Sequence, residues 1–372
     1  MTSPRWRRWR VATASIALTA LAAGCAPAGS DPGVAWHDAS PSPTASPTPA
    51  PPAEITLAFA GDVHFTGRTL PLLDDPASAF GPFAEVFDAA DFAMVNLETA
   101  VTERGTPEPK TYLFRAPSAA YDALQAAHID LVSLANNHAL DYGQVGLLDT
   151  LDYAEQAGMA VVGAGRDADQ AYAPHLTTVQ GVRLAVLGFS QVWELADRWA
   201  ATGERPGIAM AHDTDRAAAA VSAAREVADV VVVYMHWGQE GNICPIPQMR
   251  SFAELMAASG ADIVLGTHAH VLMGDGWIDN TYVHWGLGNF LWYSTSRSTD
   301  SGVLRLTLRD HRVDEVEFLP GVVSGTGQPL PVEGAEREAL ERRLAQAAEC
   351  SGLADRSAGP ARPPPLRGDA DS

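Results

Sequence analysis

Five short polar motifs each follow an apolar run: Gly61-Asp62-Val63-His64, Asn96-Leu97-Glu98, Asn136-Asn137-His138, His236-Trp237-Gly238 and Gly266-Thr267-His268-Ala269-His270. Carboxylate, amide and imidazole side chains bind borderline and hard divalent ions. Asp62 and His64 stand two residues apart, so in extended chain both side chains point the same way, and the same holds for His268 and His270. Glu98, Asn137 and His236 add one donor each. Seven donors are too many for one tetrahedral ion and suit two ions sharing a bridging carboxylate. Two ions about 3.5–4 Å apart can clamp an in-line displacement and ready water for attack near neutral pH. Mn, Fe and Zn fit these donors alike. Taken singly, Asp62 could cap a helix and Glu98 could be a surface acid; it is their succession that carries the reading.

The elements that must position these motifs are legible as apolar runs. Ile55–Ala60, Phe92–Val95, Ile129–Leu134, Leu184–Gly188, Val230–Tyr234, Ile263–Leu265 and Tyr282–Trp285 read as buried strands. Helical spacing lies between them: Ser118 could cap a helix presenting Tyr121 and Leu124. Another helix runs from Gln144 to Ala157, closed by Gly158, and a third presents Met249, Phe252 and Met256. This alternation predicts an α/β fold with a largely parallel sheet and covered faces. Val303–Leu308 and Val313–Leu319 predict a closing hairpin around Asp310-His311, and Glu333 to Cys350 a final helix. In open α/β sheets ligands bind beyond the strand carboxyl ends, where every motif falls.

Order and local sequence resemble the bacterial capsule synthesis CapA family (poly-γ-glutamate biosynthesis), itself similar in fold to the calcineurin-like metallophosphoesterases. The residues concerned run from Gly61-Asp62-Val63-His64 through Asn136-Asn137-His138-Ala139-Leu140-Asp141-Tyr142-Gly143 and His236-Trp237-Gly238-Gln239-Glu240 to Gly288-Asn289-Phe290. The resemblance implies a sandwich of β-sheets flanked by helices. It implies Asp62, His64 and His270 on one metal, Asn137, His236 and His268 on the other, and Glu98 bridging where the phosphoesterases carry Asp. It casts His138 as the catalytic residue that stabilises or protonates the leaving group. Asp141 could orient His138 or start the next helix, and Glu240 could orient His236 or pair with a loop residue. Arg115 could bind an anionic substrate or form a surface ion pair, and Asn289 could belong to the site or be a buried turn amide. Trp237, Trp285 and Trp292 are expected to pack around the site.

The ends of the chain read differently. Residues 1–25 form an exported leader: Arg5, Arg7, Arg8 and Arg10 precede a short Ala-rich apolar run that ends at Cys25, resembling a lipoprotein cleavage box. Residues 26–53, rich in Pro, Ser and Thr, read as a disordered tether. Residues 54–325 form the metal-binding domain, 326–350 a C-terminal helix packed on it, and 351–372 a disordered tail. These readings place the protein outside the cytoplasmic membrane, held there by lipidated Cys25. With Cys25 so used, Cys244 and Cys350 could form a disulfide or stay as two buried thiols. Acidic residues number 45 against 25 basic ones, and a net charge of −20 argues against binding nucleic acid. The expected partners are an anionic envelope polymer or a phosphoester substrate, the membrane, and membrane proteins of capsule synthesis. The expected role is polymer synthesis, transfer or anchoring. An exported phosphoesterase and a non-catalytic, metal-dependent polymer scaffold are the other readings.

Overall fold

The computed structural model describes residues 54–293 and 299–359. The leader, Cys25, the tether and the last part of the tail lie outside the described residues. Strands β1 (Glu54–Val63), β2 (Phe92–Leu97), β3 (Leu131–Ser133) and β4 (Ala160–Val162) lie side by side and parallel. The chain then builds a second sheet from β5 (His175–Val179), β6 (Val182–Ser190), β7 (Val230–Trp237), β8 (Ile263–His268), β9 (Asp275–Ile278) and β10 (Thr281–His284). Its spatial order is β9-β10-β8-β7-β6-β5, parallel from β10 to β6 with an antiparallel strand at each edge. Strands β11 (Asn289–Leu291), β12 (Asp300–Arg309), β13 (Arg312–Val323) and β14 (Pro329–Pro331) return to the first sheet, whose order is β14-β13-β12-β1-β2-β3-β4. Strand β11 lies against the last residues of β1.

The periodicity of the strands decides how the sheets stack. Ile55, Leu57 and Phe59 of β1 share one buried cluster with Leu184, Val186, Val232, Tyr234, Ile263 and Leu265, so the two sheets face each other. Ala58, Ala60, Ala93 and Val95 point the other way, against Tyr121 and Leu124 of α1 (Ala119–Ala126) and Leu147 and Leu151 of α2 (Gly143–Ala157). Ala185, Leu187, Val231 and Val233 pack against Val221 of α3 (Thr214–Val227) and Met249, Phe252 and Met256 of α4 (Pro247–Ala258). The result is the helix–sheet–sheet–helix sandwich that the family resemblance implied. Truncating a ring at the centre, as in Phe59→Ala, should cost about 3–5 kcal/mol. The largely parallel character expected from strand–helix alternation is corrected: both large sheets are mixed. Apolar runs report burial on both faces, not which sheet a strand joins.

Local expectations fare unevenly. Gly158 closes α2 at φ 72°, in the left-handed region that favours glycine. Asp310 and His311 turn the β12–β13 hairpin with both φ values positive, 50° and 64°, as a tight hairpin turn requires. Ser118 precedes α1, but its side chain makes no capping hydrogen bond. The final helix α5 (Gly334–Glu349) carries Leu340 inward. Cys244 and Cys350 form a disulfide, with their Cα atoms 5.5 Å apart, so the alternative of two thiols is excluded. It ties the loop after β7 to the end of α5. Residues 351–359, read as part of a disordered tail, instead lie against the body: Ala354 pairs with Trp277 and Arg356 with Asp275. No helix among the described residues is long and apolar enough to cross a membrane.

Candidate metal centre

The carboxyl ends of β1, β2 and β3 in one sheet and of β7 and β8 in the other converge on buried polar side chains. Glycine makes the convergence feasible: a Cβ on Gly61 would sit 1.8 Å from the Gly288 carbonyl oxygen, so only glycine lets β11 reach β1. That contact sets Asn289 opposite Asp62. At the end of β8 and just past it the backbone is strained, with φ 82° at His268 and 56° at His270. Left-handed conformations in non-glycine residues cost about 1–3 kcal/mol and cluster at functional sites.

Two donor groups form here, Asp62 with Glu98 and His270, and Glu98 with His236 and His268, each with ligand atoms within 4.8 Å of one another. Glu98 belongs to both. Its two carboxylate oxygens are buried without a hydrogen-bond partner, while Nε2 of His236, His138 and His270 lie 3.4, 3.8 and 3.9 Å from Oε1. Burial, then the charge of Asp62, pushes Glu98 well above the usual carboxylate range. A carboxyl group so placed either stays protonated or gives up its proton for a cation.

Neighbouring hydrogen bonds fix which atoms face inward. Thr267 Oγ1 donates to the Met235 carbonyl at 2.9 Å, so it accepts from Nδ1–H of His236, also 2.9 Å away. His236 therefore turns the lone pair of Nε2 toward Asn137 Oδ1, at 2.7 Å. Asn137 directs its amide N–H at Glu194 Oε2, 3.4 Å away, which sets Oδ1 inward. Lone pairs on His236, Asn137 and Glu98 thus face one another, an arrangement that repels itself and fits a cation. His268 Nδ1 stands 3.1 Å from His236 Nε2. In the other group, Asp62 accepts from Asn96 at 2.8 Å and from the His268 backbone N–H at 3.2 Å. Asn289 brackets His270, with Oδ1 2.9 Å from Nδ1 and its amide donating to the His270 carbonyl. Asn289 is thus a partner of the site and more than a turn amide.

The electrostatics divide along the same line. Burial holds His236 down to about 4 and His268 well below its ordinary value, so both imidazoles keep their lone pairs at neutral pH. Burial would also lower His270, but Glu98 and Asp62 outweigh it and raise its pKa. For Asp62, burial pushes upward and is overcome by the hydrogen bond and charge of His270, which hold it low.

His138 stands beside the donors. Its Nδ1 is 2.6 Å from Asp141 Oδ2, and its ring stacks on Phe114 at 3.9 Å. Asp141 makes no helix cap, since α2 starts after Tyr142 without a side-chain cap bond; it orients His138. Burial is the main reason Asp141 rises to about 7, and burial, then Lys110, drives His138 well below its ordinary value.

Other expected residues land elsewhere. The structure does not bring His64 into either donor group. Its Nδ1 and Nε2 lie 3.2 and 3.3 Å from the backbone N–H groups of Thr66 and Tyr293, and Phe114, Trp292 and Tyr293 enclose its ring. Glu240 lies exposed at the rim and does not orient His236, whose Nδ1 partner is Thr267. Arg115 stacks on Tyr142 at 3.4 Å and donates to the Arg104 carbonyl; among the described residues it forms no ion pair. Of the tryptophans, Trp292 covers His270 at 4.2 Å, while Trp237 and Trp285 pack on each other. Sequence reasoning passed over Thr267, Asn96 and Lys110. Nothing local marks the first two, but Lys110 is the one lysine among 25 basic residues.

Residues 56–294 match the family described as bacterial capsule synthesis protein PGA_cap. The PGA biosynthesis protein CapA of Bacillus subtilis is 30% identical over 298 residues, 78% of this chain and 77% of that protein. The capsule biosynthesis protein CapA of Bacillus anthracis is 32% identical over 228 residues, 60% of this chain and 54% of that protein. Among solved structures, a phosphatase from Mycoplasma pneumoniae aligns with a TM-score of 0.46 at 12% identity, covering 73% of this chain and 94% of that one.

Proposed function

The chain belongs to the bacterial capsule synthesis PGA_cap family, and on that premise we propose that it is an exported, Cys25-anchored envelope protein whose two-metal site hydrolyses or transfers a phosphoester or amide during synthesis, transfer or anchoring of an anionic polymer. The observation that carries this is Glu98, a buried carboxylate shared by both donor groups with no hydrogen-bond donor of its own. When bound, two divalent ions supply charge stabilisation and an activated water. Asp62, Glu98 and His270 would hold one ion. Glu98, Asn137, His236 and His268 would hold the other. His138 keeps its Nδ1–H on Asp141 and offers Nε2 to carry a proton at the leaving group.

Purified protein should contain about two equivalents of divalent metal. A screen of phosphodiesters, phosphomonoesters and amides should find hydrolysis in that protein. His138→Ala should retain the metal and lose about 10²–10⁴-fold in rate. Metal content near zero in the wild type would refute the site. Full metal with no turnover on any ester or amide would leave the chain a scaffold.

A specific observation favours an exported phosphoesterase with a less anionic substrate as the second reading. The guanidinium of Arg115, the candidate for binding an anionic substrate, is engaged by the Tyr142 ring and the Arg104 carbonyl. Competition by poly-γ-glutamate against a small phosphodiester separates the two.

A further inference from the structure

Every basic residue of the chain but one is an arginine, and the exception is buried: the Lys110 side chain is 1% exposed. Its ammonium has three hydrogens and three oxygen partners. It donates to Asp141 Oδ1 at 2.7 Å and to the backbone carbonyl of Asn137, and pairs with the Glu194 carboxylate, whose Oε2 is 3.2 Å away. Three divergent acceptors suit a tetrahedral ammonium, whereas a planar guanidinium needs a flat fork of acceptors and more room. The preference for lysine at this one position therefore has a geometric reason.

We propose that Lys110 is the positioning residue of this centre, setting the proton carrier His138 and the amide donor Asn137 from one buried charge. His138 Nδ1 lies 3.5 Å from Lys110 Nζ but only 2.6 Å from Asp141 Oδ2, and both oxygens of that carboxylate already accept hydrogens, Oδ1 from Lys110 and Oδ2 from the Phe114 N–H. The hydrogen between His138 and Asp141 Oδ2 therefore belongs to the imidazole, and Nε2 is left open toward Glu98. Asp141 Oδ2 also accepts from the Phe114 backbone N–H at 2.6 Å, so the carboxylate is held at both oxygens and cannot rotate away from His138. On its other side Lys110 pins the Asn137 carbonyl and, through Glu194, the Asn137 amide N–H, which keeps Oδ1 aimed at His236. The Asp62–His270 pair has no contact with Lys110 among its hydrogen bonds, so Lys110 bears directly on one ion position and reaches the other only through its charge on the shared Glu98. This deepens the proposed function and rests on it for its catalytic meaning, but its test needs no turnover.

Labelling with ¹⁵N-lysine gives a single Nζ in the whole chain, and Zn²⁺ alone serves as the probe. In the wild type the Nζ signal should exchange slowly at neutral pH and shift on adding Zn²⁺. Lys110→Met should weaken one of two calorimetric Zn²⁺ binding steps by about 10–100-fold, leave the other within about threefold, and abolish the hydrogen-bonded His138 Nδ1–H proton signal. Asp141→Asn should lose that signal while keeping both Zn²⁺ steps. Equal loss in both steps of Lys110→Met, no loss in either, or a wild type that binds no Zn²⁺ overturns the proposal. Should Lys110→Met fail to fold, a fast-exchanging wild-type Nζ signal indifferent to Zn²⁺ overturns it equally. A wild type that binds two Zn²⁺ yet hydrolyses nothing removes the functional reading and leaves the positioning result standing.

Discussion

The two donor groups share Glu98 and little else. Asp62, Glu98 and His270 offer two carboxylates and one imidazole, whereas Glu98, His236 and His268 offer one carboxylate and two imidazoles, joined by the Asn137 amide oxygen. In the first group opposite charges answer each other, with His270 raised and Asp62 held low. In the second, burial keeps the imidazoles neutral, with His268 Nδ1 3.1 Å from His236 Nε2. The first is thus partly self-satisfied, while the second is gathered only by its surroundings, Thr267 and the Lys110 network. Carboxylate-rich sites suit harder ions and imidazole-rich ones borderline ions. The second position should therefore prefer Zn over Mn and depend more on the shell around it.

The largest effect that tests this asymmetry comes from the shared residue. Glu98→Gln keeps the shape and removes the charge both groups use, so bound metal should fall from about two equivalents to near none, with hydrolysis down by roughly 10³-fold or more. Asp62→Ala and His236→Ala should each leave about one equivalent, the ion retained in Asp62→Ala being the more zinc-selective of the two. Metal analysis after loading with mixed Mn²⁺ and Zn²⁺ reads this directly. Two equivalents in Glu98→Gln would show that the groups do not share a bridge.

How much of this was legible follows from where the information resides. Strand ends could be read because an apolar run breaks into polar residues there, and the structure brings Asp62, Glu98, His236, His268 and His270, named that way, together, with Asn137 Oδ1 beside His236. His64 was found too, but spacing fixes only the side of the strand, and aromatic rings claimed its imidazole. Lys110 sits in a Pro-flanked loop without periodicity, and its reach to Asp141, 31 residues on, is a tertiary fact. Thr267 lay inside a quoted motif, yet only the register of β7 against β8 shows that it faces His236. Which strand joins which sheet was hidden for the reason given above: burial on both faces looks the same in either.

A smaller effect bears on the support of the second group. Cys244 follows His236 by eight residues, and its disulfide to Cys350 closes 106 residues, so it constrains the loop leaving the imidazole-rich position and not the Asp62 side. Cys244→Ser with Cys350→Ser should cost about 2–4 kcal/mol of stability by constraining the unfolded chain less. Arg250 still donates to the Cys350 and Ser351 carbonyls, so the end of α5 should remain docked. Denaturant unfolding with and without Zn²⁺ checks it. If the double variant loses the same affinity at both Zn²⁺ steps, the loop is no special support of His236.

The smallest effect comes from an imidazole that matches His236 in burial but not in company. His284, on β10, is 1% exposed like His236, and burial likewise lowers it to about 4 from 6.5. No donor group includes it, and its Nδ1 has no partner. Because the folded value lies below the unfolded one, the unfolded chain binds the proton first. The contribution is intact above about pH 6.5 and is lost as pH falls through the window down to about 4. At about 1.4 kcal/mol per unit, the loss attributable to His284 approaches about 3 kcal/mol. His284→Gln should flatten the stability–pH curve in that window by up to this amount while leaving Zn²⁺ binding unchanged. Adding Zn²⁺ to the wild type should instead raise stability and carry the slope of the ligating imidazoles to lower pH, since metal binding keeps protons off them while the unfolded chain still takes protons up. The share belonging to His284 should stay where it is. If His284→Gln removes the part of the curve that Zn²⁺ extends, or weakens Zn²⁺ binding, the distinction between His284 and His236 fails.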